Sequence, residues 1–552
     1  MPDAIAELTA TLTAAGSMYE LETADVRGVK LTVWKNCPPS LRSILELSAL
    51  HGDKTFLVYE DERWTFAEHF AQAAAFAHRL VDEFGVAKGD RVAIAMRNFP
   101  EWVIAFWGAA AVGAIVVPLN AWWTGSELQY GLADSGSKVV VADEERIERL
   151  APHMADLPGL SVIAVRAPDA AQPQWDSGAT AATLPDAVIE PEDDATIFYT
   201  SGTTGQPKGA LGTNRNICTN LLNLGFNAAR ASARTKRPPS PSSDQPSILL
   251  SVPLFHATGC HSMLVGNIAA GGKLVMMHKW DPERALELIE RERITTFGGV
   301  PAMVWQVLDS PDFAKRDTSS VRSVSYGGAP CPPELVRRIG EHFPQGQAGN
   351  GYGLTETSSM TTSNGGADYV ARPDSVGLPA PVCELQVVSD SGAPLPSGEV
   401  GELWIKGPNV VKGYWNKPEA TAGTFTDGWL HTGDVARIDE EGFVYIVDRA
   451  KDMVIRGGEN VYCAEVEAAI FEHPDVADAA VIGVPHTVLG EEVGAVVQLR
   501  PGAGEPDLAA YVRERIAGFK VPTHWWFVSE PLPRNPAGKV LKRELRESVL
   551  SE

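Results

Sequence analysis

The sequence predicts an α/β protein with a large multi-layered N-terminal domain, a β-rich subdomain at its end and a small α+β C-terminal domain. Three observations predict this fold. The 552 residues exceed the roughly 250 to 300 at which a single core stops growing. Helical stretches alternate with short apolar runs from about Leu41, which is typical of α/β layers. After about Val382 short strands separated by Gly, Pro and Asp turns replace this alternation, and a third pattern begins at Arg449.

The elements of the first region follow from the spacing of apolar residues. Residues 66–84 carry them at helical intervals, and residues 91–95 and 138–142 are short apolar runs, which predicts a helix and two buried strands. The most apolar stretch is residues 102–118. It is shorter than the roughly 20 residues that a membrane-spanning helix needs. We therefore predict a buried helix followed by a strand.

The two later regions have shorter elements. The β-rich subdomain is predicted at about residues 382–448, with strands at 384–388, 401–406 and 443–447. Residues 449–552 are predicted to form a compact α+β domain, which we call the lid. Its predicted elements are a helix at 464–471, a strand at 477–484 and a helix at 508–516. The chain therefore divides into an N-terminal domain, residues 1–448, and the lid.

A basic segment interrupts the N-terminal domain. Residues 229–247 are rich in proline and serine, a composition that predicts an exposed flexible loop. Its cations could meet a ligand phosphate or a membrane surface. A solvated insertion is the favoured interpretation. The cations are Arg230, Arg234, Lys236 and Arg237.

Charge and cysteine spacing exclude several classes of protein. The formal net charge of −23 argues against a nucleic-acid-binding protein, because a polyanion is repelled at long range. The six cysteines lie far apart, without the C-x-x-C spacing of zinc or redox sites. The amino terminus lacks the basic and apolar regions of a secretory signal. We therefore expect a soluble cytoplasmic protein, with homodimer formation and peripheral membrane contact left open.

One segment has the composition of a phosphate-binding loop. Residues 199–209 read Tyr-Thr-Ser-Gly-Thr-Thr-Gly-Gln-Pro-Lys-Gly and stand between an apolar run and a helical pattern. Glycines let backbone N–H groups converge on an anion, hydroxyls add donors and Lys208 adds positive charge. It is not a Walker A loop, because Pro207 and Gly209 replace a required glycine and the Ser or Thr that holds magnesium. The predicted phosphate ligands are Thr200, Ser201, Gly202, Thr203, Thr204, Gly205 and Lys208.

Four later motifs follow this loop in order along the chain. They are Asn350-Gly-Tyr-Gly-Leu-Thr-Glu-Thr357, His431-Thr-Gly-Asp434, Asp448-Arg-Ala-Lys-Asp-Met-Val-Ile-Arg-Gly-Gly-Glu-Asn460 and Asn535-Pro-Ala-Gly-Lys539. With the loop, they resemble the motifs of the adenylate-forming superfamily of acyl-CoA synthetases, luciferases and peptide-synthetase adenylation domains. The resemblance extends from about Leu41 to Arg546. It implies that ATP activates a carboxylic acid as its acyl-adenylate, after which the acyl group passes to coenzyme A (CoA).

The resemblance implies how ATP is held. Tyr352 stacks on adenine, Asp434 accepts hydrogen bonds from both ribose hydroxyls, and Arg449 donates to one of them. Thr355 contacts the α-phosphate, and Glu356 binds Mg²⁺, which prefers carboxylate oxygen. Besides the phosphate ligands, the implied nucleotide site comprises Gly328, Ala329, Pro330, Asn350, Gly351, Tyr352, Gly353, Leu354, Thr355, Asp434, Ile446, Arg449, Lys451, Gly457, Gly458 and Lys539.

The chemistry sets what catalysis requires. A carboxylate is already ionised at neutral pH, so adenylation needs cations and aligned donors instead of a general base. By resemblance, Lys539 bridges the acyl carboxylate and the α-phosphate, while Glu356 and Thr203 hold Mg²⁺. The CoA thiol benefits from a base or a nearby cation. His256, beside the acyl carbonyl, is interpreted first as a gate to the acyl pocket and second as that base.

The second half-reaction is expected to involve lid movement. In relatives the lid rotates about the position of Lys451, which is therefore the predicted hinge of a mobile lid. Rotation would remove Lys539 from the site and bring in Gly457 and Gly458, where glycine lets backbone lie close to the pantetheine arm of CoA.

The acid itself is predicted only by class. Acetate-restricted relatives have tryptophan at the position of Gly353, so glycine implies an open acyl pocket. A mostly apolar wall favours a medium- or long-chain fatty acid or a bulky aryl or alicyclic acid. The predicted wall residues are Phe255, His256, Thr258, Met303, Tyr326, Gly327, Gly351 and Met360.

Two other functions stay open at this point. The first is an acyl-AMP ligase that loads a separate carrier protein, because such a partner leaves no trace in this sequence. The second is a noncatalytic adenylate-binding protein. It is disfavoured, because a degenerate relative is expected to lose some of the charged residues that this chain keeps, Lys208, Glu356, Asp434, Arg449 and Lys539.

Overall fold

The structure is a computed structural model that describes residues 2–200, 206–235, 245–328, 333–449, 452–457, 459–535 and 538–551. Two large sheets and a smaller one precede residue 450, and a separate five-stranded sheet follows it. The predicted fold class, a large N-terminal α/β domain with a smaller C-terminal domain, is confirmed.

The first large sheet has six strands. All neighbours are parallel except the edge pair, an antiparallel hairpin. Two of its strands are almost wholly buried, as expected of parallel strands with both faces covered. In spatial order the strands are Lys208–Thr213, Asp194–Thr200, Ile115–Pro118, Arg91–Ala95, Val139–Asp143 and Ser161–Val165.

The second large sheet has nine strands, and the six consecutive strands at its centre run parallel to one another. Ligands of such sheets bind beyond the carboxyl ends of the strands. Gly328 and Gly353 each directly follow such an end. In spatial order the strands are Leu378–Pro379, Thr362–Gly365, Gln347–Tyr352, Ser323–Gly327, Thr296–Gly299, Ser247–Leu250, Lys273–Met276, Thr55–Tyr59 and Glu62–Thr65.

Helices cover the sheets, and local sequence sets their ends. Thr65 accepts a hydrogen bond from the Glu68 N–H at 3.1 Å, and the Glu68 carboxylate accepts from the Thr65 N–H at 2.8 Å, so the predicted helix begins at Phe66. The α-helices are Pro2–Leu12, Leu41–Ser48, Phe66–Asp82, Pro100–Ala111, Gly125–Ser135, Glu144–Leu150, Asn214–Thr235, Val265–Ala269, Pro282–Arg291, Pro301–Asp309, Pro333–His342, Gly366–Ala371, Pro418–Thr424, Cys463–Phe471, Leu508–Arg513 and Lys542–Ser551.

The apolar stretch predicted as a buried helix and strand is confirmed. It forms the helix Pro100–Ala111, every residue of which is buried, followed by the strand Ile115–Pro118. Gly108 allows this helix to pack closely, because an added Cβ would lie 2.8 Å from the Ala73 carbonyl oxygen. No helix in the described ranges is long and apolar enough to cross a membrane.

The β-rich subdomain and the lid each have a sheet of their own. The predicted strands 384–388 and 401–406 have those bounds, whereas the third, predicted at 443–447, spans Val444–Arg449. The subdomain strands are Glu384–Val388, Gly401–Lys406, Trp429–Ile438, Phe425–Thr426 and Val444–Arg449. The lid strands are Val454–Arg456, Glu459–Val461, Val476–His486, Gly490–Leu499 and His524–Val528. The apolar cores of the lid contain lid residues alone.

A few smaller elements complete the described chain. A two-stranded hairpin lies near the amino terminus. One π-helical segment directly follows the predicted acyl-pocket histidine. These elements are the strands Leu21–Val26 and Val29–Trp34, the 3₁₀ helices Ala49–His51, Ala151–Asp156, Phe313–Lys315, Thr355–Thr357 and Gly518–Lys520, and the π-helix Thr258–Leu264.

The prediction of an exposed loop over residues 229–247 is wrong at its start. The helix Asn214–Thr235 continues through this part. Arg230 is buried and donates hydrogen bonds to the carbonyl oxygens of Leu378 and Pro379 at 3.0 and 2.9 Å. Arg234 pairs with Asp368. Neither arginine is therefore available to a phosphate or a membrane, and Lys236 and Arg237 lie outside the described residues.

Candidate active site

The predicted phosphate loop connects the two strands of the edge hairpin. Thr200 lies opposite Lys208 in the strand register, and the Thr200 hydroxyl donates a hydrogen bond to the Lys208 carbonyl oxygen at 3.3 Å. Gly209 is needed beside this pair, because an added Cβ would lie 2.5 Å from Cγ2 of Ile197. The hairpin therefore fixes the two ends of the loop next to each other.

Several predicted site residues lie outside the described residues. The structure therefore does not test their predicted contacts with phosphate, metal, adenine or CoA. They are Ser201, Gly202, Thr203, Thr204, Gly205, Ala329, Pro330, Lys451 and Gly458.

Three side chains meet beside the hairpin. The hydroxyl of Tyr414 donates a hydrogen bond to Oε1 of Glu356 at 2.7 Å. Nζ of Lys208 lies 5.2 Å from the centroid of the Tyr414 ring. The predicted phosphate cation and the predicted metal ligand are thus joined by a residue that the sequence analysis missed. Its neighbour Gly413 is the only local signal, and a lone Gly-Tyr pair indicates no particular contact.

Tyr352, Asp434 and Arg449 form a hydrogen-bonded group. The Tyr352 hydroxyl donates to Oδ2 of Asp434 at 2.7 Å, and Nε of Arg449 lies 3.2 Å from Oδ1. Asp434 and Arg449 are opposite each other on paired strands. Burial and the Asp434 carboxylate raise the pKa of Tyr352. The phenol therefore stays protonated, and the carboxylate can still accept from further donors such as vicinal hydroxyls.

The other described residues predicted for the nucleotide site lie on several neighbouring elements. Gly328 has φ of 77°, a left-handed conformation that glycine adopts without strain. Asn350 is buried and stands opposite Tyr326 in the strand register. Ile446 packs in the same apolar cluster as Tyr352 and Leu354. Thr355 begins the short 3₁₀ helix that carries Glu356.

Lys539 of the lid reaches this site. The Lys539 N–H donates to Oδ1 of Asn535 at 2.9 Å, and the Asn535 N–H donates to the Lys539 carbonyl oxygen at 2.8 Å. Gly538 has φ of 79°, and a Cβ added there would lie 2.5 Å from Cγ2 of Val300. Cε of Lys539 lies 3.8 Å from the point where a Cβ of Gly328 would stand. Hydrogen bonds thus link Asn535 to Lys539, and Gly538 and Lys539 lie close to the N-terminal domain.

His256 is held neutral at this junction. Its Nε2 is buried and has no hydrogen-bond partner within the described part of the chain. Burial, and secondly the positive charge of Lys539, lower the pKa of His256 to about 4. An imidazole with that pKa is a weak base towards a thiol whose pKa is near 8.5.

The predicted acyl wall is largely apolar. Phe255, Met303 and Tyr326 are buried, and the rings of Phe255 and His256 are 4.8 Å apart. Thr258 is exposed at the start of the π-helix. Two wall residues are glycines. A Cβ added to Gly327 would lie 2.4 Å from the Gly351 carbonyl oxygen, so no side chain fits there without a shift. A Cβ added to Gly351 would lie 3.9 Å from Cγ of Met360, an ordinary contact.

Polar side chains that the sequence analysis missed support Met360. The Met360 N–H donates to Oδ1 of Asn220 at 2.9 Å, and Nδ2 of Asn227 contacts the Met360 sulfur at 3.4 Å. Both asparagines lie on the helix Asn214–Thr235. Their signal in the sequence was asparagine repeated at helical spacing.

Backbone packs closely against Gly353. An added Cβ at this glycine would lie 1.7 Å from the Ser359 carbonyl oxygen, and the open acyl pocket stays a prediction. Ser358 and Ser359 have φ of 56° and 105°, so the chain turns back against Gly353. Backbone occupies the space, and any side chain at this position requires Ser359 to move.

Gly457 lies apart from these residues in the lid. It has φ of 60° at the turn between the strands Val454–Arg456 and Glu459–Val461. Its N–H donates to the Leu489 carbonyl oxygen at 2.8 Å. The contacts described for Gly457 are thus with the lid, whereas Lys539 contacts the N-terminal domain.

Comparison with known proteins identifies the class. A family description "AMP-binding enzyme" matches residues 46–415, and "AMP-binding enzyme C-terminal domain" matches residues 465–539. The chain therefore belongs to the adenylate-forming superfamily of AMP-binding enzymes.

Its curated relatives narrow the class to acid–CoA ligases. The chain is 37% identical to feruloyl-CoA synthase of an Amycolatopsis species over 487 residues, covering 87% of this chain and 93% of the relative. It is 34% identical over 548 residues to a long-chain-fatty-acid–CoA ligase of Bacillus subtilis, covering 92% and 94%. It is 38% identical over 492 residues to 2-succinylbenzoate–CoA ligase of Geobacillus kaustophilus, covering 88% and 93%. Within the superfamily, this chain is an AMP-forming acid–CoA ligase.

Solved structures agree with this family. ATP-bound MatB from Rhodopseudomonas palustris has a TM-score of 0.79 and 32% identity, covering 91% of this chain and 98% of that one. The amide bond synthetase McbA from Marinactinospora thermotolerans has a TM-score of 0.79 and 30% identity, covering 92% and 99%.

Proposed function

We propose that this protein uses Mg²⁺ and ATP to convert a medium- or long-chain fatty acid, or a bulky aryl or alicyclic acid, to its acyl-adenylate, and then transfers the acyl group to CoA. In the first step a carboxylate oxygen forms a bond to the α-phosphorus, and the bond from that phosphorus to the bridging oxygen breaks. Pyrophosphate leaves with the electron pair. In the second step the CoA sulfur bonds to the acyl carbon, and the bond from that carbon to the phosphate oxygen breaks. AMP leaves with the electron pair, and the thiol proton passes to water.

The observation that carries the proposal is the approach of Lys539 to Gly328. Lys539 comes from the lid, yet its Cε lies 3.8 Å from the position of an added Gly328 Cβ, and its charge lowers the pKa of His256. Gly328 directly follows a central strand, at the edge where nucleotides bind in such sheets. A cation at this junction of nucleotide and acyl sites is what the attack of a carboxylate on a phosphate needs.

The nucleotide is proposed to lie between the hairpin and the subdomain sheet. Asp434 would accept from the ribose hydroxyls with Arg449 beside it, and Tyr352 would cover adenine. Lys208 would neutralise the β- and γ-phosphates. These roles are supported by the 2.7 Å and 3.2 Å contacts that hold Asp434 in place.

The described residues fit a magnesium site. One carboxylate oxygen of Glu356 accepts from Tyr414 at 2.7 Å, and no hydrogen bond within the described ranges engages the other. Mg²⁺ is usually held by one or two carboxylates together with phosphate oxygens and water, so Glu356 would hold it with Thr203. Bound there, the ion would neutralise charge that develops on the phosphates.

The CoA step is proposed to require lid rotation about Lys451. In the present lid position Lys539 fills the junction at Gly328, so it must leave before another group can enter there. Gly457 and Gly458 would replace it and border the pantetheine arm. His256 would then lose the nearby charge of Lys539, and its pKa would rise from about 4.

The proposed acid class rests on the wall and on the relatives. Buried Phe255, Met303 and Tyr326 suit an apolar acyl group. Curated relatives are named for ferulate, long-chain fatty acids and 2-succinylbenzoate, which are all larger than acetate.

The test follows the two half-reactions separately. The protein is incubated with Mg-ATP and a panel of fatty, aryl and alicyclic acids, with and without CoA, and acyl-AMP, acyl-CoA and pyrophosphate are measured by mass. Lys539→Ala should slow acyl-AMP formation by roughly 10²- to 10³-fold, the usual effect of removing a group that stabilises the transition state. It should leave thioester formation from supplied acyl-AMP largely unchanged.

Lys520→Ala serves as the matched control, because Lys520 is a lid lysine paired with Glu465 of the lid. Equal loss of both half-reactions in Lys539→Ala would refute the assigned role. Acyl-AMP that never becomes acyl-CoA would favour a carrier protein or an amine as acceptor, the latter suggested by the likeness to an amide bond synthetase. Absence of pyrophosphate with every acid would favour a noncatalytic protein.

A further inference from the structure

Tyr414 is fixed relative to the phosphate hairpin by backbone hydrogen bonds. The Leu211 N–H donates to the Gly413 carbonyl oxygen at 2.9 Å, and the Trp415 N–H donates to the Gly209 carbonyl oxygen at 2.7 Å. Tyr414 itself forms an antiparallel bridge with Ala210. These backbone contacts therefore fix Tyr414 relative to the strand Lys208–Thr213, whose first residue is the predicted phosphate cation.

The Tyr414 side chain is equally constrained. Its ring packs against Phe425 with centroids 5.8 Å apart. The backbone N–H of Tyr414 also donates to the Thr421 hydroxyl at 2.9 Å. The Tyr414 hydroxyl is the donor in its hydrogen bond to Glu356, because an ionised carboxylate only accepts.

Glu356 is held from a second side by the same segment. The Val411 N–H donates to the Glu356 carbonyl oxygen at 3.0 Å, while the Tyr414 hydroxyl binds Oε1 at 2.7 Å. Backbone and carboxylate are thus both oriented from residues 411–414. Oε1 carries this hydrogen bond, and none within the described residues engages Oε2.

We propose that Tyr414 is a positioning residue that sets the Glu356 carboxylate for Mg²⁺ and the Lys208 ammonium for the nucleotide phosphates. The hydroxyl orients the carboxylate, and the ring face attracts the ammonium, 5.2 Å from its centroid. One rigid side chain therefore fixes the spacing between a metal ligand and a phosphate cation. This role rests on the proposed function of the site.

The chain offers a matched control for Tyr414. Tyr445 also donates its hydroxyl to a carboxylate, Oδ2 of Asp439, at 3.1 Å. Its ring also carries a cation, since Cζ of Arg437 lies 3.7 Å from the centroid. Tyr445→Phe therefore removes the same kind of bond from the same subdomain, outside the predicted site.

The experiment measures binding of Mn²⁺ to the full-length protein with a nonhydrolysable ATP analogue, by electron paramagnetic resonance. Tyr414→Phe keeps the ring and should weaken Mn²⁺ binding by roughly 10- to 100-fold, as expected when a partner of a metal ligand is removed. It should leave metal-free analogue binding unchanged. Tyr414→Leu should also weaken the metal-free analogue, because Lys208 loses the ring. Tyr445→Phe should match the wild type in both measurements.

Wild-type Mn²⁺ affinity in Tyr414→Phe, or equal losses in Tyr414→Phe and Tyr445→Phe, would overturn the positioning role. The measurement contains no acid and no CoA. Failure of the proposed function would instead be seen as a wild-type protein that binds Mn²⁺ and the analogue but makes no acyl-AMP. Thermal unfolding of each variant, compared with the wild type, separates altered binding from misfolding.

Discussion

Under the proposed lid rotation, Gly538→Ala should slow adenylation selectively, because Gly538 would touch the N-terminal domain only while Lys539 is docked. Its φ of 79° disfavours any side chain, and the added methyl would lie 2.5 Å from Cγ2 of Val300. The conformational strain would be present in every lid position. The clash with Val300 would exist only in the docked one, so it alone would change the balance between the two half-reactions.

The magnitude follows from these two contributions. A left-handed conformation costs an L-residue roughly 1–2 kcal/mol, which lowers the stability of the lid. Overpacking of a close contact costs typically about 1–3 kcal/mol, which corresponds to an about 5- to 150-fold loss of docked lid and of adenylation rate. Thioester formation from supplied acyl-AMP should keep its wild-type rate.

The assay is single-turnover formation of acyl-AMP, with thioester formation measured separately. Gly502→Ala is the matched control, because Gly502 has φ of 83° in the lid but no atom within 4 Å of an added Cβ. Val300→Ala combined with Gly538→Ala should restore most of the adenylation rate. Equal losses in Gly502→Ala and Gly538→Ala, or no rescue by Val300→Ala, would refute this reasoning.

Two further predictions concern charge. Arg500→Ala removes the ion pair with Asp309, 2.9 Å apart, that joins the lid to the N-terminal domain. Since both partners are partly exposed, the contact between lid and N-terminal domain should weaken by about 0.5 kcal/mol. Adenylation should therefore be about twofold slower at low salt, and the difference should disappear at high salt. His69 is fully buried without a hydrogen-bond partner among the described residues, and burial lowers its pKa to about 3. Below pH 6.5 the unfolded chain therefore binds a proton at His69 that the folded chain does not. As the pH is lowered, this residue should reduce the free energy of unfolding by up to about 1.4 kcal/mol per pH unit. His69→Leu should make that pH dependence less steep in denaturant titrations.

Arg500→Ala has a matched control. Arg337→Ala removes an exposed arginine whose partners, Glu334 and Glu341, lie on its own helix, so adenylation should not change. A salt-independent effect of Arg500→Ala would show that the ion pair is not its cause. An unchanged pH slope in His69→Leu would show that His69 is protonated in the folded protein.

Features that depend on neighbouring residues were predictable from the sequence. The strands at 384–388 and 401–406 were predicted with the observed bounds, because Gly, Pro and Asp turns delimit them. Asp434, predicted by its motif, lies opposite Arg449 in the strand register.

Features that depend on distant residues were not predictable. Tyr414 contacts Glu356 across 58 positions of sequence, and no local pattern indicates such a contact. The composition around Arg230 is that of a loop, yet carbonyl oxygens almost 150 positions away accept its hydrogen bonds, so tertiary contacts outweigh local preference. At Gly353 the carbonyl of Ser359 lies against the glycine, and the positive φ angles of Ser358 and Ser359 are not indicated by their residue types.

The separate apolar cores of the lid bear on how the protein responds to heat. Those cores contain lid residues alone, and the contacts that reach the N-terminal domain include a glycine loop and a partly exposed ion pair. Such a boundary couples the melting of the two parts weakly, and two-state behaviour is not expected of chains built this way. A single melting temperature would then describe neither part, and a nucleotide held by both would raise and merge the two transitions. Calorimetry with and without ATP thus reports on the contact between the parts as well as on binding.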